Sequence, residues 1–205
     1  MSVVVLISGR GSNLKAILEA GVPVSGVISN KADATGLEIA ARHGVPTRVV
    51  EHRAFSSRKP FDAALAAEID CWAPKLVALA GFMRILTPGF VERYAGRLVN
   101  VHPSLLPAFP GLDTHERALA AGVKLHGCTV HYVTTDLDHG PIIVQAAVPV
   151  RAGDTPDMLA ERVLREEHQV YPRAIRWFLE DRLVIERGVV RVLGNDAQLV
   201  FADRA

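Results

Sequence analysis

Asn100 and His102 stand two residues apart at the end of a short apolar run, Leu98-Val99-Asn100-Val101-His102. Successive side chains of a strand point to opposite faces, so the amide and the imidazole emerge side by side. Pro103 ends the run. With Pro107 and Pro110 it stiffens the loop that follows, since each proline fixes φ and withholds a backbone donor. A fixed amide donor beside a ring that titrates near neutrality suits stabilisation of an oxyanion and movement of a proton. The same two residues could instead cap the strand and satisfy loop backbone. The residues alone leave both readings open.

A carboxylate for that imidazole is on offer in Thr134-Thr135-Asp136-Leu137-Asp138-His139-Gly140-Pro141. An acid there would orient the His102 ring and stabilise its charged form. Two acids separated by one residue could also hold a hard cation, but no calcium-loop pattern follows them. The alternative is a turn in which Asp136 and Asp138 make local Asx hydrogen bonds. Glu166-Glu167-His168 reads most simply as a solvated acidic face of a helix. His126 and His131 fall on one expected strand at an odd separation, hence on opposite faces, which argues against a shared metal.

A third feature is Ser8-Gly9-Arg10-Gly11-Ser12-Asn13-Leu14, between an expected strand and helix. Glycines allow a tight turn there, and the unpaired N–H groups of a helix start face an anion. The loop departs from a dinucleotide fingerprint: Leu14 stands at the third glycine position. Asn30, not an acid, ends the second strand, and a Walker lysine is missing. A single phosphate held by backbone N–H groups and the side chains of Ser12 and Asn13 fits better. A plain turn with Ser12 as helix N-cap is the alternative.

The elements that must position these groups alternate through the first two thirds of the chain. Strands are expected over 3–8, 22–29, 46–50, 75–79 and from 98, with helices over 12–20, 35–43, 56–71 and 88–94. That order implies a mostly parallel, doubly wound α/β sheet. Later come a helix at 113–121, strands at 125–133 and 142–150, and a helix at 155–179 that Pro172 should kink or divide. A hairpin around Arg187-Gly188 closes the pattern. The 205 residues suffice for one well-cored domain, and 49% apolar with 22% charged residues is a globular composition. A net charge of +1, with both signs interspersed, gives no support to a nucleic-acid or membrane-surface partner. Cys71 and Cys128 form no C-x-x-C pattern, and MSVVVLIS lacks the flanks of a signal peptide, so a cytoplasmic protein is expected.

Taken together, SGRGSNL, SNKAD, AGFMRIL, NVHPSLLP, HYVTTDLDHGPII and EEHQVYP resemble the phosphoribosylglycinamide formyltransferases, the folate-dependent family of purine synthesis. NxHPSLLP by itself also occurs in methionyl-tRNA formyltransferase and formyltetrahydrofolate hydrolase. Neither the former's extra domain nor the latter's N-terminal regulatory domain is expected alongside these 205 residues, which favours the first family. The resemblance implies a single Rossmann-like domain over 1–205 with helices on both faces of the sheet, a late antiparallel strand and a C-terminal hairpin. About 1–100 would form the ribonucleotide-binding half and about 101–205 the folate-binding and catalytic half. Asn100, His102 and Asp138 would be the catalytic trio. Gly11, Ser12 and Asn13 would take the phosphate of 5-phosphoribosylglycinamide, and Leu164, Arg165, Glu166 and Glu167 its ribose. Arg58, Met83, Arg84, Ile85, Leu86, Asn100 and Thr134, Thr135, Asp136, Leu137 and Asp138 would line the site for 10-formyltetrahydrofolate. No metal, nucleic acid or membrane is implied, and monomer and homodimer both remain open. Ala108 stands where relatives often carry lysine, and His139 where they often carry glycine; both flank the site, so substrate affinity could differ, but neither replaces one of the trio. Formyltetrahydrofolate hydrolysis and a non-catalytic folate- or nucleotide-binding module are the competing readings.

Overall fold

The computed structural model describes residues 1–202; the last three residues of the expected domain lie outside the described residues. The chain forms two compact units, one of Met1–Asn100 and one that begins at Val101.

In the first unit, strands β1 (Val3–Ile7), β2 (Val24–Ser29), β3 (Thr47–Val49) and β4 (Leu76–Leu79) alternate with helices α1 (Ser12–Glu19), α2 (Gly36–Arg42), α3 (Arg58–Asp70) and α4 (Pro88–Arg93). Strand β5 (Leu98–His102) starts in this unit and its last two residues belong to the second. The strands lie in the order β5-β4-β1-β2-β3, every pair parallel. Parallel neighbours need crossover helices, and the βα order supplies them. All residues of β1 and β4 are buried, as near-continuous Val/Leu/Ile runs are when both faces of a sheet are covered. Helix α3 begins two residues later than expected, because Ser57 is extended and forms its N-cap. Cys71 caps the C-terminus of α3 and is exposed.

The second unit holds helix α5 (Thr114–Ala120), strands β6 (Leu125–Tyr132) and β7 (Ile142–Pro149), helix α6 (Pro156–Leu179), and a hairpin of β8 (Leu183–Glu186) and β9 (Val189–Val192). The hairpin turns on Arg187 and Gly188, both with positive φ, which a tight two-residue turn of this hand requires. Strands β6 and β7 are antiparallel. A strand absent from the sequence reading, β10 (Leu199–Phe201), adds to β7 in parallel at the sheet edge. Buried Cys128 lies on β6, and burial pushes its thiol pKa well up.

Pro172 does not divide α6, which runs as one helix with Leu159, Val163, Val170 and Ala174 buried. A proline removes one backbone hydrogen bond. The buried stripe continues past it with Ile175 and Trp177, so packing on both sides keeps the helix whole. Among the described residues, no helix is long and apolar enough to cross a membrane.

The start of α6 is anchored to the end of β7 by an ion pair. Arg162 donates to Asp154 Oδ2 at 2.7 Å and Oδ1 at 2.8 Å, and to the Pro149 carbonyl at 2.8 Å. The Arg151 N–H adds a contact at 2.7 Å. The Arg162 hydrogen bonds, foremost, hold the Asp154 carboxyl at about 2, below the ordinary 3.8. A depressed carboxyl stabilises the fold above its unfolded pKa and loses that contribution as pH falls through the folded one. Asp154→Asn is therefore expected to cost about 2 kcal/mol at neutral pH. The wild-type advantage should disappear as pH drops from 3.8 toward 2, which urea melts across that range would measure.

Candidate active site

His102, 5% exposed, sits between two acceptors. Its Nε2 is 3.0 Å from the Phe109 carbonyl and its Nδ1 3.5 Å from Asp138 Oδ2. A ring carrying protons on both nitrogens satisfies both neighbours, whereas a neutral ring turns one lone pair toward an acceptor. Asp138 has φ 55, in the left-handed region that Asp and Asn tolerate better than most side chains. Its Oδ2 also accepts the Gly111 N–H at 2.8 Å, and its Oδ1 lies 3.9 Å from His131 Nε2. The loop carboxylate that reaches His102 is thus Asp138, through long-range contacts rather than a local Asx turn. The neighbouring Thr134 hydroxyl stays local, donating to the Asp136 carbonyl at 3.2 Å. Thr135, Asp136 and Leu137 are exposed.

Three more histidines surround this pair. His131 donates from Nδ1 to the Tyr132 carbonyl at 2.9 Å, and burial, its main influence, lowers its pKa despite Asp138. His126 Nε2 and His115 Nδ1 are 3.2 Å apart. Burial lowers both of their pKas, that of His126 to about 4, and the charge of His102 pushes the same way. A register shift between Val130 and His131 interrupts the alternation along β6 on which the expectation of opposite faces rested. Among the described residues no three His, Cys, Asp or Glu side chains gather as a metal would need.

In the first unit, half-buried Asn100 is in register with Leu79 of β4, two residues before His102 along β5. The glycine loop turns on Gly11, which has φ 72 and is itself the N-cap of α1. Ser12 therefore begins the helix and does not cap it. A Cβ on Gly11 would stand 2.6 Å from the Gly36 Cα, and the Gly36 N–H donates to the Gly9 carbonyl at 3.0 Å. The close-packing glycine absent at Leu14 is thus supplied by Gly36, at the start of α2. The first N–H groups of α1 have no intrahelical acceptors, as at any helix start, and Ser12 and Asn13 are placed there.

Besides Asn100, the residues expected along the folate site fall in two places in this unit. Arg58 is the exposed first residue of α3. Met83, Arg84, Ile85 and Leu86 form an irregular segment between β4 and α4, with Met83 and Ile85 strongly exposed.

Glu166 and Glu167 overturn the reading of a solvated acidic face: both are buried, at 8% and 6% exposure. Glu167 lies close enough to Cys128 and Tyr171 to raise their pKas further, secondary to burial. Leu164 is half-buried and Arg165 exposed. The sequence reading missed Phe109, Gly111, His131 and Gly36. The first two act through backbone atoms, which leave no signature in residue type. The carboxylates did leave one, since 163, 166, 167, 170 and 174 share a helical stripe.

A parallel sheet with a glycine loop at a helix start, and a buried His–Asp pair at a strand end, defines an α/β enzyme. The formyl transferase family profile matches residues 1–175. The phosphoribosylglycinamide formyltransferase of Escherichia coli K12 is 54% identical over 189 residues, 89% of each chain. Among solved structures, phosphoribosylglycinamide formyltransferase from Anaplasma phagocytophilum superposes with a TM-score of 0.94 at 44% identity, covering 99% of both chains. Glycinamide ribonucleotide transformylase 1 from Symbiobacterium toebii gives 0.92 at 50% identity, covering 95% of this chain and 94% of that one. The chain belongs to the formyl transferase family and, within it, to the phosphoribosylglycinamide formyltransferases.

Proposed function

We propose that the enzyme transfers the formyl group of 10-formyltetrahydrofolate to the amine of 5-phosphoribosylglycinamide, releasing tetrahydrofolate and the formylated ribonucleotide. The observation that carries this reading is the buried Asp138–His102 pair at 3.5 Å in a chain of this family. The amine attacks the formyl carbon, and the carbonyl electrons move onto oxygen. The His102 ring and the Asn100 amide donate to that oxygen, and Asp138 orients the ring and complements positive charge on it. His102 must exchange its bond to the Phe109 carbonyl for one to the substrate. As the tetrahedral centre collapses, the C–N bond to the folate breaks, and the proton lost by the amine goes to the folate nitrogen through His102 or water. None of these steps calls for a metal.

Gly11, Ser12 and Asn13 take the phosphate, using the N–H groups at the start of α1. Glu167, with Leu164, Arg165 and Glu166, holds the ribose. Arg58, the 83–86 segment, Asn100 and the 134–138 loop receive the folate. The test is the rate of tetrahydrofolate release with and without 5-phosphoribosylglycinamide. Release that requires the ribonucleotide is expected. Equal release in its absence would make the protein a hydrolase, and folate binding without turnover would make it a binding module.

A further inference from the structure

We propose that Ser8 and Asp62 are positioning residues for the formyl donor, holding the two ends of the 83–87 segment in the conformation that receives it. The inference rests on the reading of 83–86 as part of the donor site. This segment has no helix or strand to organise its backbone, so its shape depends on where its polar groups find partners. At one end, the Met83 N–H donates to Ser8 Oγ at 2.7 Å. At the other, the Thr87 N–H donates to Asp62 Oδ2, also at 2.7 Å. Both acceptors are deep in the first unit, each 4% exposed. Between these ends, the Arg84 guanidinium carbon lies 5.9 Å from the centroid of the Phe61 ring, next to Asp62 on α3.

The two clamps differ from ordinary loop hydrogen bonds. Ser8 accepts from Met83, so its own hydrogen is directed to Asn30 Oδ1, 2.5 Å away. Asn30, 1% exposed, places its Nδ2 3.1 Å and its backbone carbonyl 2.9 Å from His52 Nδ1, which accepts from the one or donates to the other according to the ring tautomer. The Met83 amide is therefore tied through a directional chain to residue 52, and its acceptor cannot rotate away without breaking the next link. Asp62 is a buried carboxylate whose Oδ1 has no hydrogen-bond partner among the described residues. Burying such a group is unfavourable for folding unless its charge serves a contact, and the contact here is the charge-assisted bond to Thr87. Thr87 is the N-cap of α4, so the bond fixes where the segment ends and the helix begins. A planar heterocycle read by polar groups along a peptide needs that peptide held still before it binds.

Ser8→Ala, Asp62→Leu and Asp62→Asn would be compared with wild type in steady-state assays that vary each substrate in turn. Direct binding of tetrahydrofolate would be measured by calorimetry, and folding by thermal melts. Ser8→Ala and Asp62→Leu are expected to raise KM and Kd for the folate roughly tenfold. kcat and the KM for 5-phosphoribosylglycinamide should stay within about threefold. Asp62→Asn keeps an acceptor for Thr87 and should recover most of the affinity. Folate constants that do not move, or both substrates weakening together in step with lost stability, would overturn the proposal. So would failure of the asparagine to rescue. Wild-type protein that neither binds nor turns over the folate would refute the functional reading itself, a result separable from these because it needs no variant.

Discussion

His102→Asn is expected to lower formyl transfer by roughly 10²–10⁴-fold while the protein remains folded. The ring is the group whose two nitrogens meet a carbonyl and a carboxylate, 3.0 and 3.5 Å away. Asparagine can replace one of those donors but cannot carry the charge that stabilises a developing oxyanion. The fold should tolerate the change because the adjoining loop is secured elsewhere. Ser104 Oγ donates to the Ala108 carbonyl, Thr114 Oγ1 to the Pro103 carbonyl, and Gln145 Nε2 to the Leu106 carbonyl. The Leu106 N–H in turn donates to Thr129 Oγ1. Single-turnover rates with saturating substrates, alongside a thermal melt, measure the effect. A near wild-type rate in a folded variant would remove His102 from the chemistry.

Asp138→Asn should be nearly as damaging, by roughly 10²–10³-fold, and for a separable reason. Asparagine also tolerates positive φ and can accept the Gly111 N–H, so the backbone at φ 55 and the loop contact are retained. What disappears is the negative charge facing His102. If the two residues act as a unit, the double variant will be no slower than the worse single one. Multiplicative losses in the four rates of that cycle would mean that Asp138 acts independently of the imidazole.

The parts of this site that the sequence disclosed are those in which residue type and period carry the information. Apolar runs alternating with helical stretches gave the parallel sheet, since strands covered on both faces must be hydrophobic throughout. A histidine at a strand end and a carboxylate in a later loop suggested their pairing; the family resemblance pointed to Asp138 over Asp136, which residue type and spacing alone do not distinguish. Backbone partners were out of reach, because the Phe109 carbonyl and the Gly111 N–H depend on loop conformation. Strand β10 escaped notice because three residues have no periodicity of their own and are ordered by pairing with β7. The Gly11–Gly36 approach was equally hidden, since it joins residues distant in sequence. Glu166 and Glu167 were misread through composition when position was the better guide: a carboxylate on the apolar stripe of an amphipathic helix is buried by the packing of its neighbours.

The contrast between the two thiols makes the protein addressable by chemical labelling. Thiolate is the form that attacks maleimides, and Cys128 is both enclosed and held protonated by its surroundings. Cys71 lies open at the far end of the helix that begins near Phe61 and Asp62. A fluorophore or spin label can thus be attached to α3 at one defined site without adding or deleting a cysteine, giving a spectroscopic reporter on the helix that braces the 83–87 segment.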